Sequence, residues 1–262
     1  MPLERLNVED GRLSVVRTTG NRPGDPLVLL HPINSAAVVW TDVAALVDRP
    51  VVAVDLRGHG ESAPLEPFTV EGGYAPDVLA VLDALDLDRV HLAGGSLGGT
   101  ISVALAALYP EQVLSVTTFG STLGTGVPAE AIDEMVAELR QKGTANYFAD
   151  LVPQIIGQAH LGSPRVREVM ATAVGTRAES VVAAILHGAF GADIRHLAGK
   201  VSAPVLAVAG TEDPTCPPDM SRELADATGG TVRILPGVGH LPMLEEPSRV
   251  AEILRDHTGA VA

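Results

Sequence analysis

Val90-His91-Leu92-Ala93-Gly94-Gly95-Ser96-Leu97-Gly98-Gly99-Thr100 sets an apolar run against a stretch of small residues, with Gly-x-Ser-x-Gly at the junction. The pattern predicts a short buried strand, a sharp turn, and a helix over residues 97–108 that ends before Pro110. Such a turn forces its central residue into a strained backbone conformation. Gly94 and Gly98, two residues to either side, must therefore lack side chains for it to close. Ser96 then projects its hydroxyl at a helix N-terminus, where the dipole favours developing negative charge. A strand before the motif and a helix after it are what a nucleophile elbow requires.

Outward from this turn, short apolar runs bounded by Gly, Pro or Asp recur at residues 27–30, 51–54, 90–93, 113–119, 204–209 and 232–235. Continuous rather than alternating apolar runs are expected of parallel strands buried on both faces. The stretch 77–85 carries Val78, Leu79, Leu82 and Leu85 at helical spacing, and 248–257 carries Val250, Ile253 and Leu254. Strands alternating with helices predict an α/β fold with a mostly parallel central sheet and helices on both faces. Between residues 121 and 199 the strand signal disappears. Helical pieces at 128–142, 146–156, 164–175 and 178–190 are separated by Gly and Pro, which predicts a helical insertion after the strand ending at Phe119. The expected organisation is a core of residues 1–120 and 200–262 with a cap or lid of residues 121–199, where substrate choice would reside.

The 262 residues are 46% hydrophobic but only 3% aromatic, so the core is built from Ala, Val, Leu and Ile. Against 18 Lys and Arg stand 32 Asp and Glu, a formal charge of −14. That balance repels phosphate backbones and anionic lipid surfaces, so nucleic-acid and membrane partners are not expected. No apolar run approaches the roughly 18–20 residues of a membrane span. The segment Met1-Pro2-Leu3-Glu4-Arg5 lacks the features of a secretion signal, which predicts a soluble, cytoplasmic protein. Cys216 is the only cysteine, excluding an internal disulfide and a cysteine-based metal cluster. Histidines such as His187 and His196 are not spaced as a ligand pair, so neither metal nor cofactor is predicted.

Three further segments turn the elbow into a family resemblance. Asp55-Leu56-Arg57-Gly58-His59-Gly60-Glu61-Ser62, Ala209-Gly210-Thr211-Glu212-Asp213 and Gly237-Val238-Gly239-His240 occur in that order. Together with the elbow they resemble the α/β-hydrolase superfamily nearly end to end. The resemblance implies that fold, with a helical lid inserted after the sixth strand. It implies Ser96 as nucleophile, His240 as general base and Asp213 as the acid that orients it. Glu212, or an acid after Phe119, is the competitor for the last role. His59, in the Arg57-Gly58-His59-Gly60 loop, is implied to be structural.

The chain departs from its relatives at the expected oxyanion loop, where many carry His-Gly and this one reads Leu30-His31-Pro32-Ile33-Asn34-Ser35. Pro32 has no N–H to donate, so the backbone amides of Ile33 and Leu97 are the expected donors. Asn34 or Ser35 would add a side-chain contact, and His31 would orient the loop. Gly95 stands where many relatives carry a bulky residue. Either it leaves open space beside Ser96 for a ring or branched acid, or it packs against the hole loop. His31, Asn34 and Gly95 are thus the candidate substrate contacts.

A serine at the elbow argues against the haloalkane dehalogenase and epoxide hydrolase branches, which use an aspartate there. The elbow and modest lid most resemble small carboxylesterases and 3-oxoadipate enol-lactonase-like enzymes, implying hydrolysis of a small ester or lactone through an acyl-enzyme. C–C bond hydrolysis, perhydrolysis and a non-hydrolytic lyase or cyclase step remain alternatives on the same residues, with a ligand receptor on the same fold as a further rival. An anionic substrate would need lid arginines such as Arg140, Arg165 or Arg177.

Overall fold

The computed structural model of the chain describes residues 4–18, 24–174 and 177–261. Its strands are β1 (Glu4–Val8), β2 (Leu13–Thr18), β3 (Leu27–Leu30), β4 (Val51–Asp55), β5 (Val90–Gly95), β6 (Val113–Phe119), β7 (Val205–Gly210) and β8 (Thr231–Leu235). They form one sheet in the order β1-β2-β4-β3-β5-β6-β7-β8. All neighbours from β4 onward are parallel, while β1 and β2 pair antiparallel with each other and β2 with β4. The six apolar runs of the sequence are β3 to β8, with boundaries shifted by a residue or two. β1 escaped sequence reading because Glu4-Arg5-Leu6-Asn7-Val8 is polar on a largely exposed edge, where charge blocks further strand addition, and β2 because Ser14, Arg17 and Thr18 interrupt its apolar residues.

The helices are α1 (Thr41–Leu46), α2 (Ala75–Ala84), α3 (Leu97–Leu108), α4 (Ala129–Lys142), α5 (Thr144–Ile155), α6 (Pro164–Val174), α7 (Glu179–Phe190), α8 (Arg195–Ala198), α9 (Pro218–Thr228), α10 (Pro242–Glu245) and α11 (Pro247–Gly259). Successive residues of a strand face opposite sides of the sheet. Leu27 and Leu29 accordingly join Trp40, Phe119 and α11 in one apolar layer, while Val28 and Leu30 join Tyr74, Leu82 and Ile101 in the other. Helices thus cover both faces. Among the described residues no single helix is long and apolar enough to cross a membrane.

α4 to α8 all lie between β6 and β7, and the ends of this insertion are tied together at its base. Gly124 bridges Asp193, Ile194 N–H donates to Leu123 O at 2.7 Å, and Thr125 Oγ1 donates to Phe190 O at 2.6 Å. Arg165 on α6 grips Asp42 on α1 with two hydrogen bonds of 2.7 and 2.9 Å. The predicted lid helices match α4 to α7 within two residues at each end, except that Gly175 lies outside the described residues.

Under the β4 end, Asp55 is fully buried and organises three chain segments. Its carboxylate accepts from Ala37 N–H at 2.8 Å, Arg5 Nη1 at 2.6 Å and Glu61 N–H at 3.2 Å. A buried charge is tolerated only when so paired.

The elbow depends on close approach of backbone to backbone. A Cβ on Gly98 would lie 2.3 Å from Leu30 O, and one on Gly94 would lie 2.2 Å from Gly98 O, against backbone that has no room to yield. Gly98→Ala is expected to cost roughly 3 kcal/mol or more of unfolding free energy. Gly229→Ala, at a left-handed helix end with φ +66 and nothing within 4 Å, is expected to cost only about 1 kcal/mol. Urea denaturation of the two variants checks the ordering.

Candidate active site

Ser96 sits between β5 and α3 with φ +49 and ψ −120, a strained conformation for a residue with a side chain. Its N–H donates to Phe119 O at 2.8 Å and its carbonyl accepts from Gly99 and Thr100 N–H at 2.9 and 3.2 Å. Backbone hydrogen bonds hold the turn, and Thr100 Oγ1 adds a longer one to Ser96 O at 3.5 Å. The Ser96 hydroxyl has no hydrogen-bond partner among the described residues and opens onto a cavity of about 140 Å³ shared with Ile33, Leu97, Thr100 and Thr122.

His240 follows β8 on a loop, and its Nδ1 lies 2.8 Å from Asp213 Oδ2. The other Asp213 oxygen accepts the N–H groups of Thr215 and Cys216, both at 2.9 Å. With Oδ1 occupied by those two donors, Oδ2 is the acceptor toward the imidazole, so Nδ1 donates and Nε2 is left as the acceptor. The competitor Glu212 faces elsewhere: its carboxylate takes the N–H of Gln158 at 2.5 Å.

Two residues that sequence reading missed shape this pair. Gly120 has φ +54, and a Cβ there would lie 2.7 Å from Asp213 Oδ2 and 3.1 Å from His240 Nδ1. Glu245 is buried, and its carboxylate accepts N–H groups from Gly157 at 2.9 Å, Gly239 at 2.8 Å and Leu241 at 3.0 Å. With His240 N–H donating to Ile155 O at 2.7 Å, the histidine loop is bound to the end of α5. The only sequence signal for Glu245 is its place five residues after a Gly-flanked histidine; nothing local reveals that it is buried.

The loop after β3 is fixed from beneath by two buried histidines. His31 Nε2 accepts Leu56 N–H at 3.0 Å and its Nδ1 donates to Pro32 O at 2.7 Å. His59 Nε2 accepts Asn34 N–H at 3.1 Å and its Nδ1 donates to Arg57 O at 2.9 Å. Burial lowers the pKa of His31 to about 4 and that of His59 well below its ordinary value. Both rings are neutral struts. His31 is therefore not a substrate contact, because both its nitrogens are committed to backbone inside the protein. Asn34 adopts φ +54, and its amide oxygen accepts from Arg177 Nη1 at 3.3 Å. Ser35 donates to Pro32 O at 2.8 Å, keeping its hydroxyl within the loop. Ile33 N–H has no acceptor among the described residues, and neither does the first N–H of α3, at Leu97, within its own helix.

Of the two readings of Gly95, the structure supports packing. A Cβ there would lie 2.6 Å from Met243 Cε and 3.0 Å from Pro32 Cγ, so the volume at Gly95 is already filled. Nor do the lid arginines reach the site. Arg165 pairs with Asp42 and Arg140 with Glu179, while Arg177 meets only neutral oxygens behind Asn34. Burial lowers the Arg177 pKa to about 10.

A second cavity, of about 210 Å³, adjoins the first through Ile33, Phe190 and Thr215. His240 and Asn34 line it together with apolar side chains from the insertion, among them Tyr147, Leu151 and Ile155. Neither cavity is lined by Lys, Arg, Asp or Glu.

Residues 27–253 match the sequence profile of the Alpha/beta hydrolase family. The chain is 30% identical over 268 aligned residues to the dihydrolipoyllysine-residue acetyltransferase component of an acetoin cleaving system from Pseudomonas putida, covering 94% of this chain and 68% of that protein. It is 29% identical to a pimeloyl-[acyl-carrier protein] methyl ester esterase of Neisseria meningitidis, covering 81% and 84%. Among solved structures, the enol-lactonase of Burkholderia xenovorans LB400 superposes with a TM-score of 0.86 at 24% identity, over 98% of this chain and 100% of that one.

Two outcomes follow from this geometry. Gly120→Ala is expected to lower kcat at least tenfold on any substrate that uses the pair, since the added methyl presses on the Asp213–His240 hydrogen bond; steady-state kinetics checks it. Below about pH 6.5 the unfolded chain protonates His31 and His59, whereas folded His31 stays neutral to about pH 4 and folded His59 also resists protonation. More protons are bound unfolded than folded in that window, so stability falls as pH drops from 6.5 toward 4. A urea midpoint that declines from pH 6.5 to 5, before carboxylates titrate, is the expected result.

Proposed function

The chain belongs to the alpha/beta hydrolase family, and from that premise we propose that it hydrolyses a small, uncharged carboxylic ester or lactone through an acyl-enzyme on Ser96. Residues 1–120 and 200–262 form the catalytic core in this reading, and residues 121–199 the cap that selects substrate. The observation that carries it is the 2.8 Å contact between His240 Nδ1 and Asp213 Oδ2, with the imidazole lining a cavity that adjoins the one at Ser96.

A serine hydroxyl becomes nucleophilic only as its proton leaves. His240 Nε2 takes that proton while Ser96 Oγ attacks the carbonyl carbon, and Asp213 stays ionised to hold the ring and stabilise the imidazolium. The N–H groups of Ile33 and Leu97 receive the developing oxyanion, Pro32 being unable to donate. His240 then passes the proton to the leaving alkoxide, giving the alcohol and the acyl-enzyme. A water deprotonated by His240 attacks the acyl carbon, and collapse of the second tetrahedral intermediate returns the proton to Ser96 and releases the acid. The absence of ionic side chains from both cavities supports a neutral substrate. It acts within a protein whose fold matches esterases and enol-lactonases at the level of architecture.

Ser96→Ala and His240→Ala are each expected to lower kcat/KM for p-nitrophenyl acetate by roughly 10⁴-fold or more, and Asp213→Asn by about 10³- to 10⁴-fold. The double variant Ser96→Ala/His240→Ala should be no worse than Ser96→Ala, because the groups act as a unit. Mass spectrometry of the quenched wild-type enzyme is expected to find an acyl adduct on Ser96. Near-wild-type turnover by Ser96→Ala would end the proposal.

A further inference from the structure

The inner cavity beside His240 does not end the apolar path. Phe148, Val152 and Met170 line it on one side and, on the other, line a groove of about 380 Å³ that lies between α5 and α6. The groove is otherwise walled by small or apolar residues, chiefly Ala145, Ala149, Pro153 and Ala171, with Arg167 at its rim. Three features bear on whether the two spaces can join into one track. The two spaces share a wall rather than merely a helix. That wall contains Met170, an unbranched side chain that adapts its shape readily. And α5 presents apolar residues on both flanks: Tyr147, Leu151 and Ile155 face the inner cavity while Ala145 and Ala149 face the groove.

We propose that this groove is the outer half of an acyl-chain site, so that the preferred substrate is an uncharged ester whose acyl chain passes from His240 between α5 and α6. To traverse a layer one helix thick, about 10 Å, the chain needs roughly eight carbons. The leaving alcohol is small, because the space at Ser96 is only about 140 Å³ and is bordered by Thr100, Thr122, Thr125 and Thr215. Each added methylene that reaches the groove gains burial against the alanines and Pro153. The proposal rests on the reading of Ser96 and His240 as the reacting groups, but the groove can be tested without turnover.

Calorimetric titration of Ser96→Ala protein with methyl butanoate and methyl octanoate measures chain-length preference by binding alone. The octanoate is expected to bind at least tenfold more tightly. Ala149→Trp in the same background fills the groove and is expected to bring that ratio below threefold. Ala171→Trp does so from the facing helix; both alanines are exposed, and thermal melting reports that the fold is kept. Octanoate binding no tighter than butanoate, or a ratio unchanged in both folded Trp variants, overturns the inference. Loss of the Ser96-dependent hydrolysis described above would instead strike the catalytic reading, so the two failures are distinguishable.

Discussion

Everything at the centre of this protein depends on how closely the first turn of α3 approaches the sheet. Gly98 sits where any Cβ would strike Leu30 O, and Gly94 where any Cβ would strike Gly98 O. That contact pins the start of α3 against β3 and β5 and leaves Ser96 with nowhere to go but φ +49. The strain is held in place by hydrogen bonds from Ser96 to the end of β6 and from α3 back to Ser96. Because β3 is part of the same contact, the loop that follows it is delivered beside the serine.

Four buried polar side chains translate that packing into a site. Asp55 collects the segments around the β4 end, and the neutral rings of His31 and His59 prop the loop bearing Ile33 and Asn34 from below. Glu245 does the same for the histidine loop, gathering three N–H groups from two parts of the chain. In each case a buried polar side chain substitutes for regular secondary structure in satisfying backbone donors. The consequence is positional. The loops beside Ser96 and His240 are held by buried hydrogen bonds, while the cavities they enclose are lined by no Lys, Arg, Asp or Glu.

The insertion is joined to these hubs rather than laid over them. Glu245 binds Gly157 N–H, His240 N–H is accepted by Ile155 O, and Arg177 reaches Asn34. A displacement at the end of α5 is thereby felt at the imidazole. The apolar residues that α5 contributes to the inner cavity sit on the same element that anchors the histidine loop, so the shape of the space and the placement of His240 are set together.

What the sequence determined by itself was everything encoded in local backbone demands: the Gly-x-Ser-x-Gly turn, the buried strands β3 to β8, the helices of the insertion, and the family's acid and histidine loops in their order. These are legible because glycine spacing and apolar periodicity are constraints within a few residues. The edge strand β1 was not legible, since a polar, largely exposed strand is defined by the partner it pairs with, and β2, whose apolar residues are interrupted by Ser14, Arg17 and Thr18, is defined by its pairing to β4. Only the tertiary structure decided that Asp213 rather than Glu212 faces His240, that His31 is a strut, that Met243 and Pro32 fill the space beside Gly95, and that a groove lies between α5 and α6. Each of these turns on contacts between distant segments, as when Glu245 meets Gly157, 88 residues away. Burial creates such contacts, and no local pattern records them.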